Sequence, residues 1–215
     1  MWAPIVHFAI LATSLGNMNQ TPKDILGSID SVMSQSRDPA VRALDTFRKL
    51  VNEQNYRAMG FDSVSEVRSA TIGQPLVEFY VRLDKLREYR PGGNPVSLLD
   101  GGDKVIYPVL VGQQVRSSIV LARDSSGWAA ASYGGPNATK LLYRTKAAVG
   151  GGQYFAVNVL ALGLHFLGTR QQGNLVLAPL LDDQQGRWKA GAILPADRVF
   201  GPLVEDAKAY NGLPR

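Results

Sequence analysis

Two segments of this chain have the pattern of a tight turn followed by a tryptophan. Residues 124–128 read DSSGW, and residues 183–188 read DQQGRW. An Asp before two polar residues and a Gly is typical of a hairpin turn, because Asp bonds its own backbone and Gly accepts a positive φ. In both segments a Pro follows the Asp by twelve positions, at Pro136 and Pro195, where a helix can begin. The repetition predicts two β-β-β-α units and constrains the chain to an α+β fold.

The first unit is predicted from a change of period. Residues 76–83, LVEFYVRL, alternate apolar and polar side chains, with Val77, Phe79 and Val81 on one side. This alternation predicts a strand with one solvated face. The segments KVIYPVLV and QVRSSIVLA predict the next two strands, and Pro108 indicates an edge position or a bulge. A return strand after the first turn and the helix GPNATKLLYRTKAA complete the unit.

The second unit follows the three glycines at 150–152. We predict one long strand over residues 153–168, a strand NLVLAPLL, a strand RWKAGAIL after the second turn, and a helix from Pro195 to about Asn211. With the helices that precede the first unit, this order indicates a curved antiparallel sheet, or two such sheets, with N-terminal helices. We expect residues 38–149 and 150–215 to pack together as one compact domain.

The N-terminal segment indicates export. Residues 1–15 are almost entirely apolar, and no Asp, Glu, Lys or Arg precedes Lys23. Residues 1–16 therefore resemble the apolar region of a bacterial secretory signal, although its basic start is missing. The alternative is a short apolar element packed on the core, because fifteen residues are too few to span a bilayer comfortably. The expected location is periplasmic or secreted if this segment is a signal, and cytoplasmic otherwise; the chain has no Cys, which suits either.

A linker is predicted between the apolar segment and the first helix. Residues 17–37 are rich in Asn, Gln and Ser, a composition typical of a linker or a loosely docked arm. Asp38 can cap a helix in which Pro39 takes the first position, and the apolar residues of that helix follow at helical spacing.

Few residues offer catalytic chemistry. His7 lies in the apolar N-terminal segment, which leaves His165 as the one imidazole for acid–base work. Its neighbours in ALGLHFLG are apolar, a pattern that favours a core histidine; a hydrolase using His165 with an unidentified Ser and Asp is the alternative. The glycine segments lack phosphate-binding spacing and the histidines lack zinc spacing, so no cofactor or metal is predicted.

Two groups of residues are candidate binding positions. The first is a basic and aromatic stretch beside the loop PGGNP, consisting of Tyr80, Arg82, Lys85, Arg87, Tyr89 and Arg90. Tyr and Arg are enriched at recognition surfaces, although a solvated strand end with local ion pairs has the same composition. The second group is Trp128 and Trp188, for which packing at the edge of the core is the alternative. Basic residues are too sparse to predict nucleic-acid binding.

The segment VRSSIVLARDSSGWAAASYG, a strand, a turn and a return strand that begins with Trp, resembles the cystatin-like and PepSY-like domains. The resemblance covers about residues 63–148 and again residues 153–211. It implies an exported bacterial module that binds or inhibits partners, but the Gln-x-Val-x-Gly pattern of cystatin inhibitors is not matched, so no functional residue is carried over. We therefore predict a non-catalytic binding or interaction module of the cell envelope, with a protein or envelope partner and no transmembrane span. A structural subunit of an envelope assembly is the further alternative.

Overall fold

The structure is a computed structural model that describes residues 25–212. It combines helices with one mixed sheet of nine strands, which confirms the α+β class. The predicted signal at residues 1–16 lies outside the described residues, as do the first positions of the predicted linker.

The helices and strands alternate in a simple order along the chain. The helices are α1 (Ile29–Leu50), α2 (Val64–Arg68), α3 (Leu83–Glu88), α4 (Pro136–Val149) and α5 (Ala196–Ala209), with short 3₁₀ turns at Ile25–Ser28, Pro95–Leu98 and Leu160–Leu162. The strands are β1 (Thr71–Ile72), β2 (Leu76–Val81), β3 (Leu99–Val111), β4 (Gln114–Asp124), β5 (Gly127–Tyr133), β6 (Tyr154–Val159), β7 (Leu164–Gln171), β8 (Asn174–Pro179) and β9 (Leu194–Pro195).

Two antiparallel meanders meet at the centre of the sheet. The strand order is β5-β4-β3-β2-β6-β7-β8-β9, and β1 pairs with β3. Neighbouring strands are antiparallel, as expected, except for β2 and β6, which run parallel. Parallel strands need a crossover connection, and α4 supplies it by carrying the chain from the edge strand β5 to β6. Both central strands therefore begin at the same end of the sheet.

The two faces of the sheet carry different cores. On one face α1 and α5 cover the larger core, in which the Phe79 and Phe155 rings meet edge to face at 5.3 Å. On the other face α4 covers a smaller core, which includes Leu76 and Leu142. Alternate residues of β2 thus enter different cores, because successive side chains of a strand point to opposite faces.

Helix α1 begins at Ile29, so the predicted start at Asp38 is wrong. Ile29, Val32 and Ser36 are buried and extend the apolar stripe of the helix toward its N-terminus. Residues 29–37 of the predicted linker are therefore helical. Their polar composition hides the stripe, because Ser36 is a buried position filled by a hydroxyl group.

The second predicted unit has a different strand pattern. The predicted long strand over residues 153–168 is a hairpin, β6 and β7, which turns at Leu160–Leu162 and at Gly163 with a φ of 65°. The predicted strand over 187–194 is also wrong, since only Leu194 of that segment is extended in the sheet. The first turn does join β4 to β5, where the Asp124 carboxylate accepts a bond from the Ser126 backbone N–H at 2.8 Å.

Pro108 lies in the interior strand β3, opposite Ser118 of β4. Its place is therefore not at an edge of the sheet. A shift of register between β3 and β4 follows directly, between Val109 and Leu110. The bulge that the Pro indicated is thus displaced by one residue.

Candidate functional site

A large cavity lies at the end of the sheet where β2 and β6 begin. We call it the α1–α4 cavity, and its volume is about 760 Å³. Helix α1 forms one wall, the links that lead into β2 and β6 form the floor, and α4 contributes Lys146. The residues that line it are Met33, Ser34, Arg37, Val41, Ile72, Gly73, Gln74, Pro75, Tyr107, Lys146, Gly152, Gln153 and Tyr154.

The charge of the cavity is positive. Arg37 comes from α1 and Lys146 from α4, and none of the lining residues is acidic. Among the salt bridges of residues 25–212, none involves either side chain. Burial lowers the pKa of Lys146, because the ammonium group is only partly solvated. The ring of Tyr143 lies 5.4 Å from that ammonium and partly compensates for the lost water.

Aromatic and aliphatic side chains form the rest of the wall. The Tyr107 hydroxyl bonds the Ser36 hydroxyl at 2.9 Å and donates to the Met33 carbonyl at 3.3 Å. Burial raises the pKa of Tyr107, while the Ser36 hydroxyl and the Arg37 guanidinium act in the opposite direction. The hydroxyl is thus occupied within the fold, and Tyr107 offers the cavity mainly its ring.

Two smaller depressions adjoin the cavity. One of about 310 Å³ includes Gly152, Gln153 and Tyr154 among its lining residues, as the α1–α4 cavity does. Another, of about 420 Å³, has Lys146 in common with it. Because they have lining residues in common, the three form a furrow across the end of the sheet, with Lys146 where two of them meet.

The predicted basic and aromatic stretch does not line this cavity. The guanidinium of Arg82 binds Asp84 at 2.6 Å, and Lys85 binds Asp100 at 3.0 Å. These are the local ion pairs that the alternative interpretation describes. Arg90 is exposed in the following loop and Tyr80 is exposed on the sheet.

Arg87 and Tyr89 hold helix α5 in place. The Arg87 guanidinium donates to the Ala207 carbonyl at 2.8 Å and to the Tyr210 carbonyl at 3.2 Å, at the C-terminal end of α5. The Tyr89 hydroxyl donates to the Asp197 carboxylate at 2.8 Å, near the other end of the same helix. Contacts of this kind stabilise the fold, and a binding role for the stretch stays a prediction.

Trp128 and Trp188 occupy different environments. Trp128 is half-buried at the start of β5, with the Arg123 guanidinium 5.4 Å from its ring. Its indole N–H is buried and has no acceptor among the described residues. Trp188 is buried in a loop against Phe166, at 5.8 Å between ring centres. Packing therefore accounts for Trp188, and neither ring faces the cavity.

His165 is exposed on the sheet face, so its predicted place in the core is wrong. Its Nδ1 bonds Asn158 Oδ1 at 2.7 Å, and partial burial of the ring against the sheet lowers its pKa. A hydrolase would need a Ser hydroxyl bonded to this imidazole. Within residues 25–212 the His165 ring makes no such bond, and its partner is an amide.

Comparisons with protein-family models, curated proteins and solved structures find no match to this chain. In the described part of the chain no helix is long and apolar enough to cross a membrane. Nor do residues 25–212 contain a group of three or more His, Asp or Glu side chains arranged to hold a metal ion. The resemblance to cystatin-like and PepSY-like domains stays a prediction, and the function has to be argued from the site itself.

The residues of the α1–α4 cavity were not predicted as a site. Arg37 lies in the predicted linker, and Lys146 lies in a helix with two other basic residues, Lys140 and Arg144. They are 109 positions apart in the sequence. No local pattern in the sequence connects them. They come together because β2 and β6 run parallel, so the links that lead into both strands lie at the same end of the sheet.

Proposed function

We propose that this protein is a non-catalytic binding protein whose α1–α4 cavity takes a small organic anion with an apolar part. The observation that supports this most is the pair of cationic side chains, Arg37 and Lys146, in a cavity without an acidic lining residue. Its volume of about 760 Å³ is in the range of small-molecule sites, roughly 300–1,000 Å³.

The electrostatics favour an anion. A half-buried ammonium without a carboxylate partner raises the free energy of the cavity, as the lowered pKa of Lys146 indicates. A carboxylate or phosphate between Lys146 and Arg37 would supply charge-assisted hydrogen bonds, which are stronger than neutral ones. The rings of Tyr107 and Tyr154 and the side chains of Met33 and Ile72 would contact the apolar part of the ligand.

The test is a calorimetric titration with octanoate and with octanamide, its uncharged analogue. We expect octanoate to bind and octanamide to bind at least tenfold more weakly, because loss of a charged hydrogen bond costs about 1.5–3 kcal/mol. Lys146→Gln and Arg37→Gln should each weaken octanoate binding roughly tenfold or more. Arg144→Gln on α4 and Arg42→Gln on α1 are matched controls, since both are exposed and lie outside the lining.

The pH dependence adds a second criterion. The anion binds the protonated form of Lys146, so affinity should fall as the pH rises through the pKa of Lys146, which burial lowers. This loss should begin below the range in which an ordinary Lys titrates, and Lys146→Gln should abolish it. Equal affinity for octanoate and octanamide, or unchanged affinity in both cavity variants, would overturn the proposal.

A place in the cell envelope belongs to the same proposal. Its support is the apolar composition of residues 1–15. An envelope binding protein would meet anionic amphiphiles at the membrane surface, which agrees with the chemistry of the cavity.

A further inference from the structure

A row of polar side chains crosses the centre of the sheet, away from the α1–α4 cavity. Glu78 of β2, Asn158 of β6 and His165 of β7 lie side by side on one face. Asn158 is 8% exposed, donates to Glu78 Oε1 at 2.6 Å and contacts His165 Nδ1 at 2.7 Å. The row therefore rests on a buried amide that is fixed from both sides.

These bonds set the orientation of the outer groups. An ionised carboxylate only accepts, so Asn158 Nδ2 faces Glu78 and Asn158 Oδ1 faces His165. His165 Nδ1 then carries the proton and donates it, which leaves a lone pair on Nε2. Within residues 25–212, Glu78 Oε2 and His165 Nε2 make no hydrogen bond. The row thus presents hydrogen-bond acceptors to a ligand.

The charge beside the row is negative on balance. Burial raises the pKa of Glu78, Lys104 and the Asn158 hydrogen bond lower it, and Asp103 raises it again. Lys104 lies opposite Glu78 in the β2–β3 register, but the two make no salt bridge within the described residues. Two carboxylates thus face one ammonium, and the partly desolvated Glu78 carboxylate makes no direct ion pair with it.

An aromatic ring lies on the same face. Tyr80 is two residues beyond Glu78 on β2, opposite Asn158 in the register, and its side chain is 38% exposed. Next to it, β3 forms a bulge in which Gly101 and Gly102 have φ values of 117° and 84°. A Cβ at Gly101 would lie 3.3 Å from the Tyr80 ring, so the glycine gives this ring room.

We propose that this row binds a small guanidinium ligand. The planar cation stacks on the exposed Tyr80 ring and donates N–H groups to Glu78 Oε2 and His165 Nε2. A guanidinium suits this open face better than an ammonium, because it is more weakly hydrated and offers several donors in one plane. Among the nearby cations, Arg82 and Lys85 are already paired with Asp84 and Asp100, and Lys104 is the one that the ligand has to displace from the field of Glu78.

The test is an NMR titration of the full chain with n-propylguanidinium, followed by the ¹⁵N shift of His165 Nε2 and the Asn158 side-chain amide. We expect saturable shifts with a Kd on the order of 1–10 mM, because the probe is small. n-Propylurea, the uncharged analogue, and n-butylammonium should each bind at least about fivefold more weakly.

Three variants locate the binding. Glu78→Gln keeps an acceptor for Asn158 but removes the charge, so affinity should fall about tenfold or more. Tyr80→Leu should weaken binding about threefold, and Glu53→Gln, at an exposed acid beyond α1, should leave it unchanged.

Equal binding of propylurea, or a Glu78→Gln affinity within twofold of that of the parent, would overturn the proposal. If Glu78→Gln loses its native spectrum, Tyr80→Leu decides, because it changes an exposed side chain, and wild-type affinity there overturns the proposal.

Discussion

Replacement of Gly168 by Ala tests how tightly the larger core is packed at the centre of the sheet. Gly168 lies opposite Phe155 in the β6–β7 register. A Cβ at this position would lie 2.4 Å from Phe155 Cε2 and 2.9 Å from two other atoms of the same ring. Contacts this short cannot persist, so the ring or the backbone must move.

Neither movement is easy. Phe155 is 1% exposed and is held edge to face by the Phe79 ring at 5.3 Å. The backbone of β7 is paired on both sides, with β6 and with β8. Overpacking of a rigid core costs about 1–3 kcal/mol, and we expect Gly168→Ala to lose about 2–3 kcal/mol of unfolding free energy. The strain is steric, because Gly168 is not among the glycines with positive φ.

Urea unfolding followed by circular dichroism measures this loss, and a double-mutant cycle identifies its cause. In a Phe155→Leu background the smaller side chain leaves room for the methyl group, so the further cost of Gly168→Ala should fall below about 1 kcal/mol. Gly151→Ala is the control, since a Cβ there meets nothing within 4 Å. The reasoning is refuted if Gly168→Ala costs under about 0.5 kcal/mol, or costs the same in both backgrounds.

Two further predictions concern contacts that hold the second half of the chain. Arg87→Gln removes the donors to the Ala207 and Tyr210 carbonyls, and should lower the unfolding free energy by about 1–2 kcal/mol in urea titrations; a loss below about 0.3 kcal/mol would contradict this role. The Arg187 guanidinium lowers the pKa of Asp183, so the carboxylate stabilises the fold above its unfolded pKa, and this contribution is lost as the pH falls through the lowered folded pKa. Asp183→Asn should cost about 2 kcal/mol at pH 7, and the difference from the parent should shrink below about pH 4; a difference independent of pH would contradict it.

Local chemistry made part of the fold predictable. The alternation in residues 76–81 places Val77, Phe79 and Val81 in one core, as the structure shows. The turn at Asp124 depends on a carboxylate that bonds a backbone N–H two residues on and on the positive φ of Gly127, and both effects act within a few residues. Effects that act over so few residues do not depend on how the rest of the chain packs.

The predictions of secondary structure were wrong where one local sequence pattern is compatible with two different structures. The run from Tyr154 to Leu167 is apolar except for Asn158 and His165, so its period does not reveal that the chain reverses at Gly163. In the first half of α1, a Ser at position 36 predicts a surface position. The residue is buried because its hydroxyl bonds the Tyr107 hydroxyl, which lies 71 positions away in the sequence. The Asp183 turn has the same chemistry as the first, but the chain beyond it packs as a loop.

Both candidate sites were decided by tertiary structure. The sequence by itself determined the α+β class, the residues of β2 that enter the core and the hairpin between β4 and β5. The parallel pairing of β2 with β6 was decided by packing, and it brings Arg37 to Lys146 at one end of the sheet and Glu78 to Asn158 at its centre. The physical reason is range: periodicity encodes which side of an element is buried, whereas the choice of neighbouring strand depends on the packing of the whole core.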